Sequence, residues 1–355
     1  MNDAASPKPD SSAAETSRTR VSQADIAQAV GVSVSTVSRV LSGAAGISER
    51  VRGEVLRAAR ELGHRGMTGL QHTGVELKSA FLLFNENSHQ PQISSIYGLI
   101  LEGLRAAAED SGIALHFLLR NNDEEIPEAV FTRSDAGVLF VGIDPTPDAL
   151  ARLSNSGVPT VLVNGLDPDL RVHAVSPANY FGGRLVARFL VERGHRRILH
   201  LSSRQRWTLR RRTEGFLQGV EDYSNGNAIV DTRYFERLEA SYIADALTDA
   251  FREDVVPPSA IFCSNDLQAL ATVQTLQARG ISVPGDVSVM GFDDLPIADL
   301  CDPGLSTIRV DWLGMGQEAF RLLNLGLVSD KYPARQVQTG VALVARASVS
   351  QAPPF

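Results

Sequence analysis

From Lys78 onward the chain alternates short apolar, β-rich runs with longer stretches of helical period. The runs Ala80–Phe84, Ala114–Leu119, Gly137–Val141, Thr160–Val163, Ile198–Leu201, Ala260–Cys263 and Val287–Gly291 predict strands. The stretches Ile96–Asp110, Phe181–Arg193, Gly215–Tyr223, Tyr242–Glu253 and Leu267–Arg279 predict helices. Near-continuous apolar strands separated by helices imply parallel sheets covered on both faces. About 275 residues is large for one such sheet, which implies two lobes.

The N-terminal pattern differs. Ser22-Gln-Ala-Asp25 resembles a capping box opening a short helix that ends at Gly31. Ser33 is placed to cap a second helix through Leu41, with Val37, Val40 and Leu41 on one face. Val51, Val55, Ala58, Ala59 and Leu62 mark a third helix capped by Ser48. Two short helices joined by a glycine turn form a helix-turn-helix. Val34, Ser35, Ser38 and Arg39 fall on the face of the second helix away from its apolar side. Spacing alone also fits a plain three-helix packing unit with exposed polar residues.

Composition sharpens the division. The chain has 355 residues and a net charge of -7, yet residues 17–66 hold eight Arg, no Lys and four acidic residues. A basic head on an acidic body fits a nucleic-acid reader joined to something else. No apolar run reaches the ~18 residues that span a bilayer, so no membrane partner is expected. Residues 1–18 have no apolar core of a secretion signal and read as a disordered leader. Cys263 and Cys301 give neither a disulfide framework nor metal-ligand spacing, and fit a reducing cytoplasm. No metal or cofactor is expected.

Several strand runs end in amide or carboxylate residues: Asn85, Asn164, Asn265 followed by Asp266, and Asp293 followed by Asp294. Ligands of open α/β sheets bind beyond the carboxyl ends of the strands. Amides and carboxylates there suit a polyhydroxylated molecule, although Asp266 also reads as the cap of the next helix. The sequence lacks a Gly-Lys-Ser/Thr phosphate loop, a Gly-x-Ser-x-Gly elbow and zinc spacing, so an enzyme is not expected.

The run VSQADIAQAVGVSVSTVSRVLSGAAGISERVRGEVLRAARELGHR resembles the headpiece of the lactose-repressor and galactose-repressor family. Downstream, VERGHRRILHL, LRRRTEGFLQGV, AIFCSNDLQALATVQTLQARGISVPGDVSVMGFDDLPIA and PGLSTIRVDWLGMGQEAFRLL are similar to that family's sensor. The resemblance implies a head at 19–64, a hinge at 65–78 and a periplasmic-binding-protein-like sensor at 79–350. Lobe one is expected at 79–176 and 311–329, and lobe two at 177–308 and 330–350. It implies phosphate contacts from Ser33 and Thr36, and base contacts from Val34, Ser35 and Arg39. It further implies a homodimer on a near-palindromic operator, and a sugar-like effector that controls transcription, with repression expected. The effector residues it implies are Asn85, Tyr97, Asn164, Arg212, Phe235, Asn265 and Asp293.

Three features depart from the family pattern. The loop from Asn85 to Tyr97 is not the family's usual Asn-Pro-aromatic sequence, which leaves the effector identity open. The hinge lacks the usual Pro-Asn pair and carries Gly66, Gly69 and Gly74, with Leu70 as the candidate minor-groove wedge. Ala178 stands where an Asp is common. The run Arg210-Arg211-Arg212 leaves two readings open. Either it binds an anionic effector, or one arginine meets the ligand beside two solvated or ion-paired neighbours.

Overall fold

The computed structural model describes residues 22–41, 47–48, 51, 54–55, 58–59, 77–85, 94–120, 125–132, 135–235, 240–326 and 333–353. The expected leader and hinge residues 65–76, including Leu70, lie outside them. The chain divides into two compact units, residues 1–74 and 75–355.

In the first unit, helix α1 (Gln23–Val30) opens with a complete capping box. Ser22 Oγ accepts from the Asp25 backbone at 3.3 Å, and the Ser22 backbone donates to Asp25 Oδ2 at 2.7 Å. Gly31 closes the helix in the left-handed region, φ +73°. Ser33 Oγ accepts from the Thr36 backbone at 3.1 Å and starts α2 (Val34–Leu41). Ile26, Ala27, Val37, Val40, Val55 and Ala59 form the buried core. Val55 and Ala59 come from the third helical segment, as its spacing predicts.

The second unit holds two parallel sheets. The first runs β11-β5-β4-β3-β1-β2, from β1 (Ser79–Asn85), β2 (Ala114–Arg120), β3 (Ala136–Val141), β4 (Thr160–Val163), β5 (His173–Pro177) and β11 (Gln336–Thr339). The second runs β7-β6-β8-β9, from β6 (Arg197–Ser202), β7 (Ile229–Tyr234), β8 (Ala260–Cys263) and β9 (Ser288–Met290). An antiparallel ribbon of β10 (Thr307–Val310) and β12 (Val341–Val344) completes the strands named among the described residues.

Helices α3 (Ser94–Ser111) and α11 (Trp312–Gly326) cover one face of the first sheet, with Ile100, Leu104, Phe320 and Leu323 packed beside Leu82, Leu139 and Val161. The short α4 (Glu128–Thr132) and α5 (Pro147–Ser156) cover the other face through Val130, Leu150 and Leu153. The second sheet is sandwiched likewise. Helices α6 (Asn179–Glu192) and α7 (Trp207–Ser224) lie on one face. Helices α8 (Ala240–Ala250) and α9 (Asp266–Ala278) lie on the other. The short α10 (Pro296–Leu300) follows β9.

Helices α6 and α7 cross tightly because Gly183 and Gly215 have no side chain. A Cβ at Gly215 would meet the Tyr180 carbonyl, and one at Gly183 would meet the Arg212 carbonyl.

Two expectations need correction. Gln336–Thr339, expected in lobe two, pairs in parallel with β5 at the edge of the first sheet. Asp266 does not cap the helix after β8. Asn265 does, accepting from the Gln268 backbone at 2.8 Å. Strands β5, β7, β10, β11 and β12 were also unmarked by the apolar pattern. β7 (IVDTRY) and β11 (QVQT) are edge strands with polar residues, and an edge need not be apolar on both faces.

Candidate functional site

Five of the residues singled out above lie at or just beyond the carboxyl ends of the parallel strands. Asn85 ends β1, Asn164 follows β4, Phe235 follows β7, Asn265 lies two residues past β8, and Asp293 three past β9. Their surroundings differ.

The densest cluster centres on Arg212 of α7, only 3% exposed. Its Nε and Nη2 donate to Asn179 Oδ1 at 3.2 and 2.9 Å. Its Nη1 donates to the Ser264 carbonyl and faces Asp293 Oδ1 at 3.5 Å. The guanidinium lies 3.4 Å over the Phe292 ring. Burial pushes the Arg212 pKa down to about 10, against the pull of Asp293 and Asp266. Burial pushes Asp293 up to about 7, opposed by Arg212. Asp266 is raised well above the usual carboxylate range, first by burial and then by the nearby Asp293 charge. A carboxyl that changes protonation near neutrality can accept from a hydroxyl or donate to one.

Asp266 is fully buried and structurally occupied. Its Oδ1 accepts from Thr307 Oγ1 at 2.6 Å and its Oδ2 from the Leu295 backbone at 2.8 Å. Asn265 is half-buried, and its Oδ1 serves the helix cap, so its amide N–H groups are what it can offer a ligand. Asn164 is 6% exposed with φ +53°, and its Oδ1 is a buried acceptor with no partner among the described residues. Such an atom costs free energy unless a donor meets it.

Tyr97 is half-buried on α3, and its ring packs against Gly142. Phe235 stacks on Tyr242 at 6.1 Å and packs against the second lobe's core, so its ring already has a partner. Beneath the cluster, His200 stacks on Phe262 at 4.7 Å. Its Nδ1 meets the Phe262 carbonyl at 3.0 Å and its Nε2 meets Thr213 Oγ1 at 2.9 Å. Burial pushes its pKa down to about 4, so it is neutral and structural.

The arginine run is split by the helix. Arg211 pairs with Glu214, and Arg210 Nε donates to the Arg204 carbonyl at 2.6 Å. Only Arg212 points into the buried cluster. Asn179, Ser264 and Asp144 are residues that the sequence reading did not select. Asp144 lies three residues past β3, the strand-end position that marked the others.

In the head, Val34 is 48% exposed and Ser33, Ser35, Ser38 and Arg39 are exposed, with Thr36 half-buried. Ser33 Oγ also lies 2.8 Å from both Ser35 Oγ and Thr36 Oγ1. This is one polar surface at the start of α2.

A helix-turn-helix head joined to a two-sheet α/β unit, with polar residues gathered at strand ends, defines a DNA reader fused to a ligand sensor. Residues 22–65 match the family described as bacterial regulatory proteins, lacI family, and residues 187–349 match the periplasmic binding protein-like domain. The chain is 31% identical over 338 residues to the HTH-type transcriptional regulator MalR of Streptomyces coelicolor, covering 93% of this chain and 97% of that protein. It is 27% identical to the HTH-type transcriptional repressor CytR of Escherichia coli, over 87% of this chain and 91% of that one. Among solved structures, a transcriptional regulator CelR–cellobiose complex has a TM-score of 0.68 at 25% identity, covering 93% of this chain and 100% of that one. The lac repressor dimer bound to operator has a TM-score of 0.64 at 22% identity, over 93% and 99%. The chain belongs to the lacI family of bacterial transcription regulators, whose members are not enzymes.

Proposed function

We propose that this protein is a repressor whose operator affinity is set by an uncharged, carbohydrate-like effector bound between the two lobes. One observation carries the effector reading: Arg212, Asp293 and Asn179 form a buried hydrogen-bonding cluster at the strand ends, with Asn265 two residues past β8. The orphaned Asn164 Oδ1 adds an acceptor that a ligand hydroxyl would satisfy. Asn85, Tyr97 and Phe235 are assigned to the same cleft from the family resemblance.

An anionic effector is the weaker reading. Arg206 and Arg212 face carboxylates, Arg211 is ion-paired, and Arg210 is held by a carbonyl. Arg204 and Arg210 also lie over Tyr234 and Trp207.

On the DNA side, Ser33 and Thr36 are assigned to phosphates, and Val34, Ser35 and Arg39 to base edges in the major groove. One head reads a half-site, so a homodimer on a near-palindromic operator follows. Such a regulator works in the cytoplasm. The relatives support the class. The cellobiose named for one solved structure supports a sugar.

The test is a thermal-shift screen of the full chain against neutral sugars, sugar phosphates and sugar acids. An effector at 100 times its Kd adds about 2.7 kcal/mol to the native state. A neutral sugar should stabilise the parent and not Asp293→Ala. Stabilisation by sugar phosphates alone would favour the anionic reading.

A further inference from the structure

Six residues before Arg212 in sequence, one arginine ties the two lobes together. Arg206 lies after β6 of the four-stranded sheet, immediately before α7. Its Nε donates to Asp144 Oδ2 at 3.1 Å and its Nη2 to Asp144 Oδ1 at 3.2 Å, a two-pronged pair. Nη2 also donates to the Asn164 carbonyl at 2.6 Å. Asp144 and Asn164 both follow strands of the six-stranded sheet. Tyr97, on a helix covering that sheet, lies near the same guanidinium. In return, the Trp207 backbone donates to Asp144 Oδ2 at 3.0 Å, which places the carboxylate at the start of α7. An anion there is favoured by the exposed N–H groups and the helix dipole.

These contacts differ from an ordinary surface ion pair. The two side chains are only 15% and 13% exposed. An exposed pair is held loosely and screened by salt. A desolvated pair contributes only when its hydrogen-bonding capacity is well satisfied. That condition holds here. Asp144 accepts three N–H groups, and Arg206 donates to Asp144 and to the Asn164 carbonyl. The arginine fork matches a carboxylate in a way that a lysine ammonium cannot. Every one of these acceptors is on the first lobe and every donor to Asp144 is on the second. Separation of the lobes breaks the whole set at once.

We infer that the Asp144–Arg206 bridge is a latch that holds the two lobes together before any effector is bound. The latch biases the sensor toward its closed arrangement, so effector meets a cleft already assembled. A cleft populated in its binding-competent form loses less apparent affinity than one that must first close. The inference rests on the two-lobe geometry and holds whether the effector is a sugar or another molecule. Its test therefore needs no ligand.

The test is a spin-label distance measurement on the effector-free full chain. Labels go on Asn155→Cys in α5 and Gln218→Cys in α7, both exposed and on different lobes. The background carries Cys301→Ser, because Cys301 is partly exposed and Cys263 is buried. Labelled chain is diluted with unlabelled chain so that distances within one chain dominate. The parent should give one narrow population. Arg206→Met and Asp144→Asn should each add a population at longer distance, and the double variant should add no more than either alone. Asp144→Asn retains an oxygen for the Trp207 N–H, so it preserves the start of α7 if Arg206→Met perturbs folding. An unchanged distribution in Asp144→Asn, or a parent already dominated by the longer distance, overturns the latch. Neither result bears on whether a sugar binds, which the thermal-shift screen decides.

Discussion

Asp293 and Asp294 are neighbours in sequence, yet their carboxylates serve different arginines. Asp293 faces Arg212 at 3.5 Å. Asp294 accepts from Arg309 at 2.6 Å and from Arg346 at 2.8 Å. Both residues have positive φ, +119° and +53°, a region that side chains other than glycine rarely adopt. Trp312 Nε1 adds a bond to the Asp293 carbonyl at 3.2 Å. The turn that aims Asp293 at Arg212 is thus held in place by the arginines on Asp294.

The two arginines should not matter equally. The Arg346 side chain is 16% exposed and that of Arg309 is 61%. Exposed pairs contribute about 0–1 kcal/mol, whereas loss of a partner leaving a buried acceptor costs roughly 1–3 kcal/mol. Arg346→Met should therefore lower the denaturation midpoint and weaken effector binding. Arg309→Met should change both little. Urea unfolding and calorimetric titration of the two variants check the ranking.

Arg212→Met removes the cation and leaves Asp293 buried without its partner. Breaking a buried pair in this way costs about 3–5 kcal/mol. Arg212→Lys should not restore effector binding, because an ammonium cannot reproduce the fork to Asn179, Ser264 and Asp293. Effector titration of both variants, beside their unfolding curves, separates lost stability from lost recognition.

The raised Asp293 pKa makes a signed pH prediction. Its ordinary value is 3.8 and burial lifts it to about 7 in the folded chain. The folded state therefore holds this proton more tightly. The stabilisation is complete below pH 3.8 and is lost as pH rises through 7. Asp293→Asn lacks this term, so its melting temperature relative to the parent should rise between pH 5 and about pH 8. Removing the charge also relieves Asp266, which acts in the same direction. A difference that is flat or falls with pH would contradict an elevated Asp293.

Gly215→Ala should destabilise the sensor by roughly 1–3 kcal/mol, the usual range for overpacking. The new methyl would meet the Tyr180 carbonyl, and only a shift of α6 against α7 relieves it. Since Arg212 is on α7, effector affinity should fall with stability. Gly226→Ala, where the nearest contact is the end of the Glu221 side chain at 3.4 Å, tests the left-handed turn alone, at φ +74°, and should leave effector affinity unchanged.

Much of this architecture was legible in the chain. The capping box at Ser22 and Asp25, the glycine at position 31 and the cap at Ser33 each follow from local chemistry, and local chemistry is what a sequence displays. The buried strands also announced themselves, because β1, β3, β4 and β8 are apolar on both faces. The edge strands β7 and β11 did not, since pairing on one side leaves their outward residues free to be polar. Arg212 and Asp293 were visible through family motifs. Their partner Asn179 was not, because it meets Arg212 across 33 residues. The Asp144–Arg206 tie spans 62 residues and joins loops of no regular period. Asn265 and Asp266 show a further limit. Either residue type can cap a helix, and only the fold shows that Asp266 is committed to Thr307 and Leu295.

Effector-controlled DNA reading is tested by a selection of duplexes from a random-sequence DNA pool by the purified chain, with and without the sugar that stabilises it. A near-palindrome should be enriched, with a sugar-dependent change in its recovery that Asp293→Asn loses while still enriching the same sequence. No enriched sequence, or a recovery from the parent that ignores every stabilising sugar, would contradict an effector-controlled DNA reader.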